Sequence, residues 1–147
     1  MSFLSAFNTS VSGMVAQRQR VNTISENIAN AETTRTPQGG PYRRREVVLA
    51  SVANDRTFEE ELLSQDRSAS TSTEVKVVGI VQDERPPILR FEPGHPDANE
   101  EGYVEMPNVN IMEEMVNMVT ASRSYEANVT AFEALKQMAM KAMEIGR

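Results

Sequence analysis

Residues 109–145, VNIMEEMVNMVTASRSYEANVTAFEALKQMAMKAMEI, decide the fold class. Ile111, Met115, Met118, Ser122, Tyr125, Val129 and Phe132 recur at alternating steps of four and three, the spacing that lines up side chains on one face of an α-helix. The stripe then drifts to Leu135, Met138, Ala142 and Ile145. Asn110 followed by Glu113 resembles a capping start, in which the Asn110 side chain accepts from the Glu113 N–H and Glu113 bonds back. Pro107 upstream and Gly146 downstream are reasonable boundaries. A helix over 111–145 would run on the order of 50 Å.

The other end of the chain carries a matching pattern. Leu4, Phe7, Val11, Met14, Val21 and Ile28 follow the same heptad-like spacing, with Arg18 and Ser25 at the positions that would complete it. A helix over residues 3–30 would be about 42 Å long. Asn, Ser and Thr crowd its flanks and Gly13 lies inside it, so its intrinsic helicity is weak. Two long amphipathic helices thus bracket the chain.

Between them the pattern changes. TRTPQGGP at 34–41 has turn chemistry, and Arg43 to Leu49 reads as a short strand leading out of it. Residues 54–73 are mostly polar and end in a Ser/Thr run, which reads as a mobile loop or linker. Glu74–Gln82, EVKVVGIVQ, is rich in Val and Ile and predicts a strand; Ile88–Phe91 and Tyr103–Met106 are shorter candidates separated by the turn-rich EPGHPDANEEG. The expected fold is α+β: long N- and C-terminal helices packed as a coiled-coil-like pair, with a small β-rich insertion. The expected divisions are residues 1–31, 32–107 and 108–147.

Composition narrows the function. The 147 residues are 39% apolar and only 5% aromatic, a thin supply for one large core. The net charge of −6 argues against general nucleic-acid binding, and the acidity is confined to the middle, since residues 51–102 carry net −7. The absence of cysteine excludes disulfides, thiolate metal sites and a Cys nucleophile. No run approaches the length of a membrane span, and the N-terminus lacks the marks of a cleaved secretory signal.

No catalytic, cofactor or metal site is expected. The lone histidine, His95, sits near Glu92, Asp97, Glu100 and Glu101, but the spacing matches no helical His pair or calcium loop. A turn held by side-chain hydrogen bonds is the better reading. Arg43, Arg44 and Arg45 could grip phosphate, guard a strand edge, or meet an acidic surface of a neighbouring subunit. The Met-rich C-terminal helix reads as core or interface, because two stripes too long for one small β domain to cover must cover each other or another chain.

The ends also carry a resemblance. The N-terminal block with Asn27–Ile28–Ala29–Asn30–Ala31 followed by Thr33–Thr34–Arg35 resembles the start of bacterial flagellar axial proteins, the rod and hook family. The C-terminal block is similar to the proximal-rod members, through Gly102–Tyr103–Val104, Pro107–Asn108–Val109–Asn110, Glu114–Met115–Val116, Ala121–Ser122–Arg123, Tyr125–Glu126–Ala127–Asn128 and the closing Ile145–Gly146. Together the blocks span roughly two thirds of the chain, with the middle, about 47–90, matching weakly.

The resemblance implies a structural subunit of the rod, exported unfolded through the flagellar type III apparatus and polymerised through its terminal helices into the periplasmic drive shaft that transmits torque. Implied partners are other proximal- and distal-rod proteins, the rod-base adaptor and export gate, and copies of the chain itself. On this reading Leu4, Phe7, Val11, Met14, Val21 and Ile28 pack with Ile111, Met115, Met118, Tyr125, Val129 and Phe132. Asn22, Asn27 and Asn128 would bond to adjacent subunits. The rivals are a non-polymerising coiled-coil adaptor or export-associated binding protein, and a His95-dependent hydrolase.

Overall fold

The computed structural model describes residues 3–53 and 73–145. The linker expected at 54–73 lies outside them except for Thr73, which opens a strand. In chain order the elements are helix α1 (Phe3–Ala29), strands β1 (Arg45–Ala53), β2 (Thr73–Gln82), β3 (Ile88–Phe91) and β4 (Tyr103–Met106), and helix α2 (Ile111–Ile145). The strands form two two-stranded sheets, β1 with β2 and β3 with β4. The α+β expectation holds, with two long helices and a small β region between them in sequence.

The strands at 88–91 and 103–106 have the expected bounds, because turn residues flank each. β1 starts two residues later than expected and runs four further, through Ala50–Ser51–Val52–Ala53. Pairing with β2 holds a stretch whose Ala and Ser have little β preference of their own. Helix α2 begins at an Asn110 cap, but the cap oxygen accepts from the N–H of Met112 at 3.0 Å, one residue before the expected Glu113.

The described chain forms two compact units. Of the described residues, the first comprises 3–18, 49–53, 73–78 and 122–145; the second comprises 19–48 and 79–121. In the first unit, α1 and α2 run antiparallel: Phe7 meets Phe132 edge to face at 4.9 Å, and a Cβ placed on Gly13 would lie 3.0 Å from the Asn128 amide. Gly13 is therefore where the backbone of α1 comes closest to that side chain, which accounts for a helix-weakening residue at this point. The hydroxyls of α1 have a similar explanation. Ser12 Oγ accepts from the Val75 N–H at 3.1 Å, and Thr9 Oγ1 lies 2.9 Å from the Thr73 carbonyl oxygen. Residues that look poor for a helix fasten β2 to it.

In the second unit, α1 closes through successive turns, with the Asn30 N–H donating to Glu26 O and the Thr33 N–H to Asn30 O, both at 3.1 Å. The Asn30 side chain also donates to Glu26 O and accepts from Thr33 Oγ1. The TRTPQGGP segment then turns back on itself: Gly39 and Gly40 both take positive φ, +88° and +73°, which lets Thr36 exchange hydrogen bonds with them. The Tyr42 N–H donates to Thr33 O at 3.0 Å, closing the loop and returning residues 42–45 to the last turns of α1. Ala31, Tyr42 and Val109 form a small buried cluster there.

Candidate functional site

Among the described residues, the side chains most fully buried in the second unit are Asn27, Glu114, Val104 and Ala121. Two of the four are polar. Asn27, on α1, makes all four hydrogen bonds open to its amide. Its Nδ2 donates to Arg45 O at 2.8 Å and to Glu114 Oε2 at 2.9 Å, and its Oδ1 accepts from the Tyr42 hydroxyl and the Arg45 N–H, both at 2.9 Å.

Glu114, in the first turns of α2, has its other oxygen held by Arg44, whose Nε and Nη2 approach Oε1 at 2.9 and 2.8 Å. Arg44 also reaches Glu46 at 3.2 Å. Burial by itself would lower the Arg44 pKa, but the hydrogen bonds and charges of Glu114 and Glu46 outweigh it and raise the value. Burial, followed by the charges of Glu26 and Glu114 against the opposing Arg45, pushes the Tyr42 hydroxyl up. Arg45 lies over the Tyr42 ring at 5.8 Å and within 3.6 Å of Glu26.

This tie joins helix α1, the returning loop and helix α2 through one carboxamide and one carboxylate. It shows that Asn27 spends its bonding capacity inside the chain, and that Arg44 and Arg45 do the same with their charge. Of the three arginines, only Arg43 has an exposed side chain and no ion pair among the described residues. Sequence reasoning singled out Asn27 through its motif but missed Tyr42 and the pairing of Arg44 with Glu114. The sequence carried no clear signal for it, because the apolar stripe centres on Met115 and leaves the adjacent Glu114 unmarked.

The residues of the apolar stripes are placed differently. Leu4 and Val11 on α1, and Ile111, Met115 and Tyr125 on α2, are exposed, Leu4 by 72%. Phe7, Met14, Val21, Ile28, Met118, Val129 and Phe132 are half-buried. The fully buried positions of α2 are Glu114 and Ala121, each one residue before Met115 and Ser122 of the stripe. Those of α1 include Gly13, Ala16, Thr23, Ile24 and Asn27. Met112, Val116 and Val119 extend the exposed apolar face of α2, Met112 by 70%.

The motif residues divide in the same way. Pro107 is buried, and Asn108 and Ser122 are half-buried. Ala29, Tyr103, Arg123 and Ala127 are exposed. Gly102 has φ +83°, and a Cβ there would meet the Phe91 ring at 3.0 Å. His95 accepts from the Asp97 N–H through Nδ1 at 3.1 Å, within a run of turns. A groove of about 350 Å³ is lined by Tyr42, Arg43, Arg44, Asp83, Arg85 and Glu105, among others, with Arg44 and Arg85 already engaged by Glu114 and Asp83. No helix of the described residues is long and apolar enough to cross a membrane.

Comparison with known proteins bears on these two ends. Residues 7–35 match the family described as flagella basal body rod protein. Residues 100–145 match the family described as flagellar basal body rod FlgEFG protein C-terminal. The class is that of flagellar basal-body rod proteins.

Relatives narrow it. The flagellar basal-body rod protein FlgC of Borreliella burgdorferi is 41% identical, covering 99% of this chain and 98% of that protein. Those of Bacillus subtilis and Escherichia coli are 45% and 37% identical, each covering 100% of both chains. The chain belongs to the FlgC family of flagellar basal-body rod proteins.

Proposed function

We propose that this chain is a structural, non-catalytic subunit of the flagellar basal-body rod whose helix faces are completed by neighbouring subunits. One observation carries the reading beyond family membership. Among the described residues the two helices bury Thr23, Asn27, Glu114 and Ala121 and one large apolar side chain, Ile24, while leaving Leu4, Val11, Val15, Met112, Met115, Val116 and Val119 exposed. On α2 Met112, Met115, Val116 and Val119 stand at i, i+3, i+4 and i+7, an apolar strip along one helix face, and such exposed apolar surface marks an interaction site. The twelve stripe residues are the proposed assembly set, and methionine suits contacts that must adapt to several different partners.

On this reading the partners are copies of the chain, other proximal- and distal-rod proteins, and the base adaptor beside the export gate. Helices with weak intrinsic propensity can travel unfolded through a type III channel and gain order when neighbours supply apolar surface. No cysteine is present to cross-link in the oxidising periplasm on the way. Many side-by-side contacts along the helices would resist shear and so transmit torque.

The test is the composition of purified basal bodies. An epitope-tagged chain is expected in the rod fraction, and cells lacking the chain are expected to form no rod. Rods of normal length without it, or a tagged chain absent from basal bodies in motile cells, would contradict the reading.

A further inference from the structure

A small cleft of about 60 Å³ opens in the second unit among α1, β1 and the start of α2, with room for a head group of a few atoms. Arg20 and Thr23 of α1 and Asn117 of α2 line it, together with Arg44, Arg45, Glu46 and Glu114. Three arginines thus stand against two glutamates, and all but one of these charges are matched within the chain. Arg44 holds both Glu114 and Glu46, Asn27 takes the second oxygen of Glu114, and Arg45 lies within 3.6 Å of Glu26. Arg20 is the exception. It is half-buried and has neither an ion pair nor a hydrogen bond among the described residues.

Two further unspent donors accompany it. Thr23 is only 2% exposed, yet its hydroxyl makes no hydrogen bond among the described residues. The half-buried carboxamide of Asn117 makes none either. A buried hydroxyl without a partner costs free energy until something supplies the missing bond. A guanidinium, a hydroxyl and an amide around one small space, with the carboxylates beside them already held, form a donor set that fits an incoming carboxylate. Asn117 also lines a second, shallower groove with Met112, Glu113 and Val116. The cleft therefore adjoins the apolar strip of α2, and a chain seated on that strip comes within a side chain's reach of Arg20.

We infer that this cleft receives an Asp or Glu side chain from a neighbouring protein subunit whose apolar residues cover the α2 strip. An Arg–carboxylate contact is directional and can be bidentate, so it fixes how far along α2 the neighbour sits, which apolar contacts alone do poorly. The inference rests on the chain being a rod subunit, and its test separates the two.

Arg20→Glu, Arg20→Ala and Arg20→Lys are made in the full chain and expressed in cells without the native copy. Because Arg20 has no partner within the chain, all three purified variants should unfold thermally at the native midpoint. Arg20→Glu and Arg20→Ala are expected to give about ten-fold fewer intact rods in basal-body preparations, with Arg20→Lys between them and the native chain. Motile revertants of Arg20→Glu should exchange an Asp or Glu of a flagellar protein for a neutral or basic residue. Normal rods from Arg20→Glu, or revertants without such an exchange, overturn the docking cleft alone. So does a lowered midpoint in Arg20→Ala, which would make the residue part of the chain's own fold. Saturable binding of inorganic phosphate to the purified chain, abolished by Arg20→Ala, would assign the cleft to a free anion and likewise contradict docking. Normal rods in cells lacking the chain altogether overturn the rod reading and the cleft with it.

Discussion

Asn27 shows how much a single residue can organise. Its carboxamide fills four hydrogen bonds to three partners, one of them a carboxylate that is 1% exposed. Asn27→Ala would leave the Tyr42 hydroxyl, both backbone groups of Arg45 and one oxygen of Glu114 without a partner. The expected loss is about 2–5 kcal/mol in urea unfolding followed by circular dichroism; a loss within about 0.5 kcal/mol, usual for surface positions, would show that the tie is not structural. Asp83 makes a second residue-level prediction. Hydrogen bonds from the Arg85 side chain, then from its backbone, lower the Asp83 pKa from 3.8 to about 2. Because the folded value is depressed, the pair's contribution is complete above about pH 4 and disappears as pH falls through about 2. An NMR titration of Arg85→Ala is expected to return the Asp83 midpoint toward 3.8; a midpoint that stays near 2 contradicts the assignment.

At the scale of elements, both helices and the two short strands were legible because each rests on local signals: a 3.6-residue period, turn clusters, a cap. What was not legible is which side of each helix is buried within the chain. Apolar patterning points at Met115 and Ser122, yet the buried positions are Glu114 and Ala121. Over 111–121 the inner face of α2 holds Glu114 and Ala121 while Met112, Met115, Val116 and Val119 are exposed, so hydrophobic periodicity has the wrong centre there, whereas further along the stripes do mark the contact of Phe7 with Phe132. Ala121, at 0% exposure, tests this directly. Ala121→Leu is expected to cost about 1–3 kcal/mol by overpacking, whereas Met112→Leu, on the exposed face, should leave thermal unfolding of the purified chain unchanged. Equal effects would mean that the buried side of α2 has been misassigned. The hydroxyl ties from Thr9 and Ser12 to β2 were illegible for a related reason, since a helix-weakening residue does not declare the partner that justifies it.

For the whole molecule, the thin supply of large apolar residues finds its place. The interior takes few large apolar side chains, Ile24, Val104 and Val109 among them, beside small and polar groups, while Met112, Met115, Val116 and Val119 of α2 stand where another chain can reach them. The central claim is therefore that the outer face of α2 is an assembly surface. Val116, exposed by 65%, offers the most direct test, because a charge there disturbs little within the chain but would be buried without a partner in an assembled rod. Cells carrying Val116→Asp are expected to make and export the chain at normal levels, yet to yield no intact rods in basal-body preparations and to be non-motile. Normal rods and normal swimming in that strain would contradict the account.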